Sequence, residues 1–107
     1  MEIRNAKIVS TMLGVEDHGI MTCYITLDYD GASQGFGGYG FDEWNEKNKK
    51  RIGVGYGIDF IKEILRIADV EKWEDLLGKY VRVDGDRSKI HRIGNIIKDE
   101  WFDPKVI

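Results

Sequence analysis

The sequence predicts an α+β domain: a curved, mostly antiparallel sheet in the order β-β-β-α-α-β-β, with one main amphipathic helix packed on one face. Three observations lead there. Residues 20–29 alternate, with Met21, Cys23, Ile25, Leu27 and Tyr29 on one side and Thr22, Tyr24, Thr26 and Asp28 on the other. A period of two is the mark of a strand with one buried face. From Ile58 to Asp69 the period changes. Ile58, Phe60, Ile61, Ile64, Leu65, Ile67 and Ala68 share one half of a helical wheel, and Asp59, Lys62, Glu63, Arg66 and Asp69 share the other. Finally, Asp30-Gly31 and Asp84-Gly85 punctuate the chain with hairpin turn chemistry.

The elements follow in order. Residues 6–13 are rich in β-formers and form the first strand, joined by a turn over Gly14–Gly19 to the alternating strand. A glycine-rich third strand comes after Asp30-Gly31. Residues 43–51 are polar apart from Trp44 and read as a solvated loop. The main helix has Asp59 near its start, where a carboxylate suits the helix dipole. A short second helix fits 71–77, with Trp73, Leu76 and Leu77 on one face and Gly78 as its stop. Strands over 79–83 and 89–97 flank the Asp84-Gly85 turn. The expected core sets Ile58, Ile61, Leu65 and Ala68 against Met21, Cys23, Ile25 and Leu27.

Composition narrows the class. The 107 residues suit a single domain spanning 1–107, with 42% apolar and 33% charged residues. No apolar run approaches the roughly 20 residues of a membrane span, and the N-terminal residues lack the apolar stretch of a signal peptide. The single Cys23 cannot form an internal disulfide, which favours a reducing, cytoplasmic home. A net charge of −3 argues against non-specific duplex DNA binding, which needs excess cations facing phosphates.

The stretch Gln34-Gly35-Phe36-Gly37-Gly38-Tyr39-Gly40-Phe41-Asp42 contains G-x-G-x-x-G. A dinucleotide-binding loop must open a helix. Here Phe41 and Asp42 lead into the charged segment instead, and no Lys-Ser or Lys-Thr completes a P-loop. Two readings remain. The glycines shape a bent strand, with Phe36, Tyr39 and Phe41 turned to the core. Alternatively they bare the backbone to a ligand, with Phe36 and Tyr39 free to stack. The second candidate is Arg87-Ser88-Lys89-Ile90-His91-Arg92. It reads either as a charged edge strand that discourages aggregation or as an anion site, in which Arg87, Lys89, His91 and Arg92 meet phosphate. An acidic set, Asp28, Asp30, Asp42, Glu43 and Glu46, offers a surface for a basic protein. Asp28, Asp30 and Asp42 could also gather to bind a divalent cation, although strand ends collect aspartates for turn chemistry anyway. The expectation is therefore no resident metal and no cofactor. His18 reads as a loop histidine bonded to its own turn, and Cys23 as a buried thiol without a positive partner.

Four stretches, STMLGVEDHGIMTCYITLDY, QGFGGYGFD, WEDLLGKYVRV and IGNIIKDEWFDP, resemble a family of small bacteriophage- and prophage-encoded proteins. The resemblance spans most of the chain outside 43–51 and carries no catalytic motif. It implies a phage accessory protein that blocks host defences by binding rather than by chemistry. The expectation is thus a non-enzymatic, homo-oligomeric binder in the host cytoplasm that sequesters a small nucleotide signal. Its ligand site comprises Gln34, Gly35, Phe36, Gly37, Gly38 and Tyr39 with the basic strand. Two alternatives stand beside it: an inhibitor of a host nuclease or CRISPR complex acting through the acidic set, and a small nucleotide-acting enzyme.

Overall fold

A computed structural model describes residues 2–107. Eight strands and one long helix appear, in the order β1 (Glu2–Val15), β2 (Met21–Tyr29), β3 (Ala32–Gly37), β4 (Asp42–Asn45), β5 (Lys50–Gly53), α1 (Gly55–Ala68), β6 (Tyr80–Gly85), β7 (Ile90–Gly94) and β8 (Trp101–Phe102). Six strands form one antiparallel sheet ordered β3-β2-β1-β6-β7-β8, and β4 and β5 form a separate hairpin. The sheet curls into a half-barrel around α1, the α+β class that the patterning predicts.

β1 organises the sheet because its fourteen residues serve two neighbours. Its first half pairs with β6 over Glu2–Lys7, and its second half with β2 over Lys7–Val15. The register slips between Ile8 and Ser10. A bulge of this kind bends a strand and raises its twist, so the sheet curves where β1 passes from one neighbour to the other. The β2–β3 connection is a two-residue turn with positive φ at both Asp30 and Gly31. That backbone twist suits a tight hairpin.

The concave face carries the core. Ala6 and Ile8 of β1, Cys23, Ile25 and Leu27 of β2, Phe36 of β3, Val81 and Val83 of β6, Ile93 of β7 and Phe102 of β8 are all buried. They meet Phe60, Ile64, Ile67 and Ala68 of the helix. The helix differs from expectation in rotation. It begins at Gly55, Ile61 and Leu65 lie at the margin of the contact, and Ile58 is 62% exposed. The expected centre of the face, Ile58-Ile61-Leu65, is thus displaced towards Phe60-Ile64-Ile67. The reason is the size of Phe60, whose ring must enter the middle of the curl and turns the helix with it. The earlier start also moves Asp59 beyond the first turn, which holds no acidic residue.

Other boundaries shift for local reasons. The polar 43–51 segment is the β4–β5 hairpin, not a loop: Arg51 on β5 donates to both the side chain and the carbonyl of Asp42 on β4. The expected helix over 71–77 shrinks to a 3-10 turn at Trp73–Asp75, with Leu76 buried and Leu77 exposed. The turn after β6 lies at Asp86–Lys89 rather than at Asp84-Gly85, and Gly85 pairs with Ile90 beside a bulge. The expected last strand divides into β7 and β8 around Asn95. The buried amide of Asn95 donates to Ile67 O and to the Asp69 carboxylate, and its oxygen accepts from the N–H groups of Ile97 and Lys98. Every polar atom of that amide has a partner, so its burial ties the helix C-terminus to the turn at little net cost.

A urea titration distinguishes the observed helix face from the expected one. Ile64→Ala loses about 2–5 kcal/mol of stability, the range for a buried aliphatic residue. Ile58→Ala stays within about 0.5 kcal/mol of the parent, as for a surface position.

Candidate functional site: the open mouth of the half-barrel

The helix covers only part of the concave face. Inward-facing positions are apolar beneath it and turn polar beyond it. On β1 the series Ile8, Ala6 continues to Arg4; on β2, Leu27 continues to Tyr29; on β3, Phe36 is preceded by Gln34. Cross-strand pairing sets these side by side, with Arg4 opposite Val83 and Leu27 opposite Gln34. The result is a cavity of about 710 Å³ at this end of the barrel, closed on one side by Gly85, Asp86 and Arg87.

Hydrogen bonds brace its walls. The Gln34 amide nitrogen donates to the carbonyls of Asp86 (3.1 Å) and Arg87 (2.9 Å), joining β3 to the β6–β7 turn across the curl. The Gln34 side-chain oxygen accepts from the Tyr29 hydroxyl. Burial raises the Tyr29 hydroxyl above its ordinary pKa, and the nearby carboxylates of Asp30 and Asp86 add to this. Arg4 donates to Asp30 at 2.7 Å. Asp86 organises the turn by accepting from the Ser88 hydroxyl, the N–H groups of Ser88 and Lys89, and His91. Those bonds hold its carboxyl well below the ordinary value of 3.8. Arg87 is exposed on the rim. No hydrogen bond or ion pair engages its guanidinium among the described residues.

The residues singled out in the sequence fall in several places. Gln34 and Arg87 meet in the mouth. Phe36 does not face a ligand: it is buried and stacks with Phe60 at 5.9 Å. Tyr39 packs its ring on Phe60 and Tyr56 at 5.7 and 6.3 Å, so neither aromatic is free to stack on a base. Gly35 is exposed on β3, whereas Gly37 and Gly38 turn the chain with φ of +117° and +84°. A Cβ on Gly37 would lie 2.5 Å from the Cys23 carbonyl oxygen. The bent-strand reading therefore accounts for Gly37 and Gly38.

The basic strand disperses. Lys89 and His91 border a small crevice of about 30 Å³ with Tyr39, Asp103 and Lys105. Arg92 donates to the buried Asp84 at 2.7 Å and lies 4.2 Å above the Trp101 ring. Arg82 covers the same ring at 4.7 Å. The indole lies across Gly94, where a Cβ would come within 2.7 Å of it. The Arg92 guanidinium is thus engaged within the fold rather than presented to an anion.

The acidic set also separates. Asp28 accepts from Ser33 on the outer side of the β2–β3 hairpin, and Asp30 pairs with Arg4 at the mouth. Asp42 binds Arg51 and the Met21 N–H at the opposite end of β2, a strand spanning roughly 26 Å at about 3.3 Å per residue. Its carboxyl is lowered first by Arg51. Glu46 is held by Lys49 and the Trp44 indole, and Glu43 is exposed on β4. Among the described residues no three His, Cys, Asp or Glu side chains converge as a metal site would require. His18 bonds Glu16 of its own turn. Cys23 is buried, and burial pushes its thiol up to about 12, which removes it as a nucleophile. No described helix is long and apolar enough to cross a membrane.

Sequence reading overlooked Arg4 and Tyr29 as site residues. The signal lay in the strand period. Tyr29 continues the buried face of β2, and Arg4 shares the parity of Ala6 and Ile8, so a charge in that series marks where the apolar lining ends. No family model, curated protein or solved structure matches the chain.

Two measurements test this geometry. Arg92→Ala strands a buried carboxylate and lowers stability by about 1–3 kcal/mol in chemical denaturation. In an NMR pH titration the Asp86 carboxyl titrates below the ordinary 3.8. Because its folded value is depressed, the ordering it gives the turn is full above pH 4 and is lost as pH falls through that lower value.

Proposed function

We propose that the chain is a non-enzymatic binding protein whose half-barrel mouth takes a small anionic ligand of nucleotide size. The observation that carries this reading is the pairing of a cavity of about 710 Å³ with two arginines, Arg4 and Arg87, on its walls. Guanidinium groups form charge-assisted, bidentate contacts with phosphate oxygens. Arg87 meets a phosphate from the rim without breaking an ion pair. Asp30, drawn to one side by Arg4, offers an acceptor to a sugar hydroxyl or an exocyclic amine. The Tyr29 ring forms an apolar wall beside the small side chain of Ala32. A cavity with an apolar floor and a few convergent polar groups is the usual form of a small-ligand site.

The same residues argue for capture over turnover. The carboxylates in and beside the cavity serve structure: Asp86 holds the turn, Asp30 holds Arg4, and Asp28 holds the Ser33 hydroxyl across the β2–β3 hairpin. The resemblance to small phage proteins gives such capture a purpose, the removal of a nucleotide signal that drives host defence. The competing inhibitor reading is weakened by the dispersal of the acidic residues to opposite ends of β2.

Isothermal titration calorimetry with a panel of linear and cyclic nucleotides tests the proposal. Wild type binds at least one member. Arg87→Ala weakens that binding by about tenfold or more, the equivalent of one charge-assisted contact, and leaves the melting temperature unchanged. Arg92→Ala, which lies outside the cavity, retains the affinity of wild type at a temperature where it is folded. Absence of binding across the panel, or equal binding by Arg87→Ala, rejects the mouth as the ligand site.

A further inference from the structure

We propose that the free edge of β1, from Ser10 to Val15, is a dimer interface that pairs antiparallel with the same edge of a second copy of this chain. β6 covers one side of β1 only as far as Lys7, and the chain entering β6 extends the cover by one residue through the Gly78 and Lys79 bonds to Ile8. Beyond that point β2 occupies the other side through Val15. No described strand pairs with Ser10–Val15 on the side away from β2.

The backbone there is poised to pair. Glu16 N–H bonds the Ile20 carbonyl, which places the even-numbered β1 residues beyond the bulge, from Ser10 on, toward β2. By the alternation of an antiparallel ladder, Thr11, Leu13 and Val15 aim their N–H and C=O groups outward. Natural sheets guard such edges with charge, proline or a covering element. This one has none: Ile8 to Val15 reads I-V-S-T-M-L-G-V, and Leu13 and Val15 are 40% and 65% exposed.

Charge selects the occupant. The uncharged stretch is bounded by Lys7 at one end and by Glu16 and Asp17 at the other. Antiparallel self-pairing centred on Met12 brings Asp17 of the second copy to the end of β6, where Lys7 and Lys79 are exposed. The contact occurs twice by symmetry, as a two-fold interface requires. Parallel pairing would set like charges together. In this register Thr11 faces Leu13 of the second copy, and the exchanged pairs supply about four backbone hydrogen bonds. Met12 meets its own equivalent in a non-bonded pair, where Cα atoms approach to about 4.5 Å.

Sedimentation and cross-linking test the interface. Wild type sediments near twice the 12.3 kDa chain mass. Leu13→Lys, which puts a charge on the edge, sediments at the single-chain mass with its far-UV circular dichroism unchanged. Met12→Cys forms a covalent dimer on mild oxidation, because about 4.5 Å lies within disulfide reach and Cys23 is buried. Ser10→Cys, which falls opposite Gly14, does not. Lys7→Glu and Asp17→Lys each weaken association, and the double exchange restores it. A wild-type chain that sediments as a monomer at every accessible concentration overturns the proposal. So does a dimer that tolerates Leu13→Lys, or one that cross-links at Ser10 and not at Met12.

Discussion

The fold depends on one ring. Phe60 stands at the centre of the curl with Phe102, Phe41, Tyr39, Phe36 and Tyr56 around it, at centroid distances of 5.0 to 6.0 Å. These partners come from β3, from the segment that follows it, from the start of the helix and from the last strand. Edge-to-face and tilted aromatic pairs add to the burial energy of each ring. A single helical side chain thereby draws together elements that are distant in sequence. It also sets the helix rotation, which places Ile64 and Ile67 inward and Ile58 in water.

That central anchor determines where the site is. A fourteen-residue helix about 21 Å long covers a limited area of the sheet. The aromatic cluster fixes it over the middle and one end of the concave face. At the other end the curl stays open, and its inward positions must tolerate water. Arg4, Tyr29 and Gln34 do so, and Gln34 also braces β3 to the β6–β7 turn. The cavity is a consequence of the sheet being longer than the element that fills it.

The same economy explains why charged residues that cluster in sequence do not act together. In an extended strand, neighbours face opposite ways. Arg92 on β7 lies against Asp84 and Trp101, whereas Arg87 stands in the turn and reaches the mouth. Asp42 is bonded to β2 through the Met21 N–H, and its role is to hold the β4–β5 hairpin through Arg51. Most charges that looked available therefore stabilise local geometry.

The sequence by itself determined the fold class, the main helix, the alternating β2 face and the Asp30-Gly31 hairpin. Each depends on interactions within a few residues: a period of 2 or 3.6, or a turn that requires positive φ. It also brought out Gln34 and Arg87, the two expected ligand-binding residues that line the mouth, and Asp30 of the acidic set. It did not disclose β8, the β4–β5 hairpin or the shrinking of the second helix. A two-residue strand has no period to detect, and Arg51 rescues a polar hairpin through a contact across the turn. The tertiary structure alone decided which charges are engaged and which face the cavity. Arg4 and Arg87 are 83 positions apart and share a wall only because β1 pairs with β6. Arg92 looks equally available in the sequence, but the register that sets it opposite Asp84 commits it to the fold. Strand register is a property of the assembled sheet, and it is the reason the site could not be read from the chain alone.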